Sequence, residues 1–98
     1  MKNFAFKKLQ KDVKEYDKLK GWEKDDESEI VLHMIEELGE ISREILRYRN
    51  YKKHEEFSKD KLAEEIIDML YLIIKLANKF SLNLDEEWEK LFERYKIK

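Results

Sequence analysis

KLAEEIIDMLYLIIKLANKF, residues 61–80, is the most hydrophobic stretch of the chain, and its reading decides the fold. Leu62, Ile66, Ile67, Met69, Leu70, Leu72, Ile73, Ile74, Leu76, Ala77 and Phe80 spread apolar surface over more than half of a helix circumference. The pattern predicts a helix over about Lys59 to Phe80, buried on several sides. Ser58 or Asp60 can cap its start. Two acids interrupt the run: Glu65 falls at the margin of the apolar arc, and Asp68 lies inside Ile66 to Ile74. They are three apart and so share one face. Removing an unpaired carboxylate from water is costly or raises its pKa, so both acids require a partner. Lys75 and Lys79 lie on the same side as Asp68, two and three turns further on.

Upstream, a second apolar-periodic helix is predicted over about Glu27 to Tyr48, with Asp26 and Glu29 at capping-box spacing. Val31, Met34, Ile35, Leu38, Ile41 and Ile45 form one stripe centred on Leu38. At about 100° per residue, Glu37 stands at the edge of that stripe, and His33, Glu40 and Glu44 share its flank. Glu36 points away from the stripe, toward solvent. Gly39 costs about 1 kcal/mol relative to alanine inside a helix; it either permits close helix approach or leaves room for a ligand.

Glu37 and Glu40 are three apart, as are Glu65 and Asp68. Two such helices, packed antiparallel with these motifs facing, bring four carboxylates to one place. Like charges in near contact repel by roughly 4 kcal/mol per pair in a surface-like dielectric. Such a cluster persists if it is spread apart, protonated or neutralised. A hard cation with oxygen ligands, such as Mg²⁺, suits it.

The remaining segments frame this centre. Phe6, Leu9, Val13 and Tyr16 mark a helix over about Phe4 to Lys20, closed by Gly21 as its C′ residue. Trp22 either covers the end of the core or stacks on a flat ligand such as a nucleobase. Arg47 to Ser58, with Arg49, Lys52, Lys53 and His54, reads as a helix end and a charged loop that is either solvated or in reach of phosphates. Asn83 and Glu86 again have capping-box spacing, before a last helix over about Leu84 to Tyr95 carrying Trp88, Leu91 and Phe92.

Composition narrows the chemistry. The chain has 98 residues, enough for one small domain, and no internal boundary is evident over 1–98. Charged residues make up 45% of it, yet the net charge is only -2, which does not favour nucleic acid as a partner. There is no cysteine, hence neither a disulfide framework nor a thiolate site. The first residues, MKNFAFKKLQ, are too polar for a signal peptide, and no apolar run reaches about 18 residues, so neither secretion nor a membrane partner is expected and the expected location is the cytoplasm. No glycine-rich phosphate loop occurs. Neither His33 nor His54 has glutamate three residues before it, which removes a di-iron carboxylate bundle.

Glu36-Glu37-Leu38-Gly39-Glu40 followed by Glu65-Ile66-Ile67-Asp68 resembles the EExxE…ExxD signature of the MazG-like nucleoside triphosphate pyrophosphohydrolases. The resemblance runs from about Trp22 to Arg94. It implies an all-α, four-helix-bundle-like fold that is oligomeric, a homodimer or homotetramer with the nucleotide pocket completed between subunits. It implies cleavage of a (d)NTP to (d)NMP and pyrophosphate, a house-cleaning activity of the nucleotide pool, with Mg²⁺ or Mn²⁺ held by Glu37, Glu40, Glu65 and Asp68. Glu36 and Glu40 are then candidate bases for the attacking water. Lys75, Lys79 and Lys90 are candidate phosphate contacts, and Trp22 and Tyr71 candidate base-stacking residues. Lys90 fits the family's lysine-asparagine-arginine pattern in the last helix, but Arg94 stands where asparagine is expected. The related phosphoribosyl-ATP pyrophosphohydrolases carry histidine shortly after an Asp-Leu-Leu-Tyr stretch; Asp68-Met69-Leu70-Tyr71-Leu72 departs from that. The reading from another class is a non-enzymatic helical oligomerisation module.

Overall fold

The structure, a computed structural model, describes residues 5–96; the expected helix start at Phe4 lies outside them. Four helices occur in order: α1 (Ala5–Lys20), α2 (Glu27–Tyr48), α3 (Lys59–Lys79) and α4 (Leu84–Arg94). The described chain is all-α, and none of its helices is long and apolar enough to cross a membrane.

The helix boundaries follow from local chemistry. Asp26 accepts the N–H of Glu29 at 2.8 Å, Ser58 Oγ that of Lys61 at 3.1 Å, and Asn83 that of Glu86 at 3.2 Å. Each bond satisfies an N–H that the first helical turn leaves without an intrahelical partner. Three helix ends share another device. The N–H of Trp22 reaches the Asp17 carbonyl and that of Gly21 the Lys18 carbonyl, around a Gly21 φ of 74°. The same pair of bonds closes α2 around Asn50 (φ 62°) and α3 around Ser81 (φ 53°). This left-handed closure, usually built on glycine, was predicted only at Gly21.

Contacts divide the chain into two units, with α3 contributing to both. The first comprises the residues up to Asp25 and from Ile74 onward. Its buried apolar side chains are Val13, Ile74 and Ala77. Asp85 accepts the N–H groups of Phe6 and Lys7, both at 3.0 Å, which places a carboxylate on the positive end of α1. Gln10 and Asn78 exchange hydrogen bonds, and Gln10 also bonds the backbone of Leu82 and Leu84. Phe6, Trp88 and Phe92 form a chain of ring contacts, the first tilted at 5.6 Å and the second edge-on at 5.4 Å.

The second unit, Asp26 to Ile73, holds α2 and most of α3. Here the buried face differs from the one expected. Leu38, the predicted centre of the core stripe, is 59% exposed, and Val31, Ile35 and Ile45 are exposed with it. The less exposed residues of α2 are Ile30, Met34, Glu37, Ile41, Glu44 and Arg47, at spacings of four and three. The covered stripe is therefore rotated toward the acidic flank. On α3, Ile66, Ile67, Leu70 and Ile73 are likewise exposed. A Cβ built on Gly39 would meet nothing within 4 Å, so close helix approach is not what Gly39 provides.

Candidate metal centre

The four motif acids all belong to the second unit. Glu37 is half-buried, Glu40 and Asp68 are exposed, and Glu65 is only 4% exposed. Burial is the main reason the Glu37 carboxyl is pushed above its ordinary range, followed by the negative charges of Glu40, Asp68 and Glu65 and a hydrogen bond with Glu40. Glu65 is pushed up for the same leading reason, then by the charges of Glu44 and Glu40, with Lys61 and Arg47 opposing. The other three motif acids thus lie within electrostatic reach of Glu37. Glu37 Oε2 and Glu65 Oε2 are buried and accept no hydrogen bond.

A buried carboxylate oxygen without a donor is costly. Hard cations meet that demand through oxygen ligands, and the donor set Glu37, Glu40, Glu65 and Asp68 fits Mg²⁺ or Mn²⁺ in its chemistry. The set is not drawn tight: among the described residues no three His, Asp or Glu side chains stand gathered in metal-holding geometry. Mutual repulsion keeps carboxylates apart unless something neutralises them.

Glu36 is exposed and pairs with His33 Nδ1 at 3.2 Å. Tyr71 is half-buried. The other residues expected to touch substrate lie in the first unit. Lys75 is buried, with its Nζ 2.7 Å from Asp25, 3.7 Å from Asp17 and 5.9 Å from the centre of the Trp22 ring. Trp22 is partly exposed and meets Tyr16 edge-on at 5.7 Å. Lys79 donates to the Glu23 carbonyl at 2.8 Å, and Lys90 pairs with Glu87 at 3.2 Å. A phosphate would have to draw Lys75 away from Asp25. A cleft of 670 Å³ in the same unit is bordered by Lys7, Lys11 and Lys14 on α1 and by Asp85, Glu86 and Glu89 on α4. Its charges balance, so it has no bias toward anions.

Three participants escaped the sequence reading. Glu44 is 1% exposed, paired to Arg47 Nη1 and accepting the Ser58 N–H at 3.2 Å. Arg47 also donates to Glu55 through Nε at 2.9 Å and Nη2 at 2.7 Å. The Arg47 side chain is thus engaged by acids rather than left in a solvated loop. The i, i+3 spacing of Glu44 and Arg47 was visible in the sequence; the return of Glu55 was not.

A curated protein of Bacillus subtilis (strain 168), the uncharacterized YpjD, is 30% identical to this chain over 67 residues. The match takes in 67% of this chain and 60% of YpjD, so the chain spans about 60% of that relative's length. No protein-family model matches the chain, and no solved structure does.

Proposed function

We propose that this protein is a divalent-cation-dependent nucleoside triphosphate pyrophosphohydrolase of the MazG-like kind. The observation that carries the reading is the pair of buried, undonated oxygens, Glu37 Oε2 and Glu65 Oε2, on side chains whose pKa is raised first by burial and then by neighbouring acids. Ordinary surface ion pairs do not account for them, because surface acids keep their oxygens in water.

Glu37, Glu40, Glu65 and Asp68 would hold the cation. When bound, Mg²⁺ neutralises triphosphate charge and stabilises the charge that develops in the displacement. Water adds to the α-phosphorus, the bond to the bridging oxygen of the β-phosphate breaks, and (d)NMP and pyrophosphate leave. A carboxylate takes the proton of that water; Glu40, in the cluster, and Glu36, beside His33, are the candidates. The nucleotide-contacting roles of Trp22, Tyr71, Lys75, Lys79 and Lys90 come from the family resemblance.

The exposed apolar side chains of the second unit support association with a second copy. Val31, Ile35, Leu38 and Ile45 on α2 and Ile66, Ile67, Leu70 and Ile73 on α3 leave apolar surface in water, and surface of this kind marks interaction sites where it is contiguous. A homodimer, or a tetramer built from dimers, would cover it. Incubation with each (d)NTP and Mg²⁺ or Mn²⁺ tests the activity. Release of pyrophosphate and (d)NMP is expected. No turnover of any nucleotide with either cation would leave the oligomerisation module as the reading.

A further inference from the structure

Within the second unit, one hydrogen bond ties α2 to the start of α3. Glu44, buried near the end of α2, accepts the backbone N–H of Ser58. Ser58 is also the residue whose hydroxyl caps α3 at Lys61 and whose carbonyl accepts the N–H of Leu62. A tie at this point fixes where α3 begins along α2.

The counting that follows is simple. Glu37 lies seven residues before Glu44, and Glu65 lies seven residues after Ser58. In an antiparallel pair, equal steps from a common tie give equal rises, about 1.5 Å per residue. Seven residues are close to two full turns, so each side chain also returns to the face on which the tie sits. Glu37 and Glu65 therefore arrive within about one turn of each other, on the facing sides. Glu40 lies between Glu37 and the tie, and Asp68 lies one turn beyond Glu65. The charges of Asp68 and Glu65 both act on Glu37, and those of Glu44 and Glu40 act on Glu65, so the two acid motifs pass within reach of each other.

Glu44 does not serve as a fifth ligand in this arrangement, because both its oxygens are taken, Oε1 by Ser58 and Oε2 by Arg47. Arg47 is in turn braced by two hydrogen bonds to Glu55 in the α2–α3 connection. A planar guanidinium held on two sides orients a carboxylate more firmly than an ammonium can.

We infer that Glu44, held by Arg47 and Glu55, is a positioning residue: its bond to Ser58 sets the register that brings the two acid motifs, Glu37 with Glu40 and Glu65 with Asp68, together. The inference rests on the cation-binding reading for its functional meaning, but the register itself can be measured separately. Spin labels on Ser42→Cys and Glu64→Cys, in a chain with no native cysteine, report the α2–α3 alignment when labelled protein is diluted with unlabelled protein. A single narrow distance is expected in the parent and in Glu44→Gln, whose amide oxygen still accepts the Ser58 N–H. Glu44→Ala is expected to broaden the distribution or displace it by about 5 Å, one helical turn. Mn²⁺ titration on the same proteins should show affinity weakened about tenfold in Glu44→Ala, the size usual for a residue acting through a metal ligand, and less in Glu44→Gln. An unchanged distance in Glu44→Ala overturns the register role. So does equal weakening of Mn²⁺ binding in both variants, which would assign the effect to lost charge. A parent protein that takes up no Mn²⁺ while the distances shift as expected would sink the cation site and leave the register role standing.

Discussion

Lys75 Nζ stands 2.7 Å from Asp25 Oδ2, and the lysine is 4% exposed. Asp17, also buried, approaches the same ammonium at 3.7 Å. Deleting one side of a buried pair leaves an uncompensated charge and costs about 3 kcal/mol or more. Lys75→Ala should therefore destabilise the protein by about 3 kcal/mol. Asp25→Asn should cost less, because Asp17 remains. Urea midpoints of the two variants check the order, and a Lys75→Ala midpoint equal to the parent's would refute the pairing.

Glu37 and Glu65 both hold their protons longer in the folded chain than in the unfolded one. The native state therefore binds more protons in the window between the ordinary carboxylate range and the raised values. Stability from these two groups is full below that window and is lost as pH rises through it. Glu65→Gln should remove part of this slope in the metal-free protein. Melting temperatures of parent and variant from pH 4 to 8, compared by difference, separate the Glu65 contribution from that of groups such as Glu55, which Arg47 shifts the other way. Parallel curves would show that Glu65 does not titrate as described.

Asp68 adds its negative charge to the repulsion felt by Glu37. Asp68→Ala should raise the melting temperature of the metal-free protein, and it should lower pyrophosphate release about 100-fold or more, beyond the usual effect of losing a residue outside the metal's own ligands. Full turnover by this variant would remove Asp68 from the metal set.

Leu38 and Ile67 are 59% and 60% exposed. If a second copy covers them, Leu38→Glu and Ile67→Glu should each halve the mass measured by light scattering or push the dissociation constant up by an order of magnitude or more, since a buried unpaired charge is costly. Helicity should be unchanged. A parent mass near 12.1 kDa at micromolar concentration would argue against association altogether.

Ser81 closes α3 with a φ of 53°, a conformation glycine adopts without the strain of a side chain. Ser81→Gly should stabilise the protein by roughly 1 kcal/mol, since a left-handed residue with a Cβ costs about 1–2. Thermal melts decide it, and a destabilised variant would mean that the Ser81 side chain contributes more than its backbone costs.

The helix ends were legible in the sequence because their causes are local. Asp26, Asn83 and Gly21 each act within a few residues, and each does what its spacing predicted. The packed face of α2 was less legible. Its hydrophobic pattern averages over a half-buried stripe through Met34 and Ile41 and an exposed stripe through Ile35 and Leu38, so a wheel centres between the two. Glu44 was placed on a flank by its angle on the helix, and nothing local marks it as buried. Its burial depends on the loop that returns Glu55 to Arg47, a non-local event that no spacing rule encodes.

The grip of Asp85 on Phe6 and Lys7 spans 79 and 78 residues. On a ribosome the chain emerges at about 5–20 residues per second, so α1 is made early and its carboxylate partner last. The α2–α3 segment, whose contacts such as Glu44 to Ser58 span 14 residues, has all its parts several residues before α4 exists. Closing the long loop costs more chain entropy than closing the short one, and the first helix must wait with its apolar face uncovered. During synthesis the nascent chain therefore passes through a stage in which the acidic hairpin can assemble while the two ends of the sequence have yet to meet.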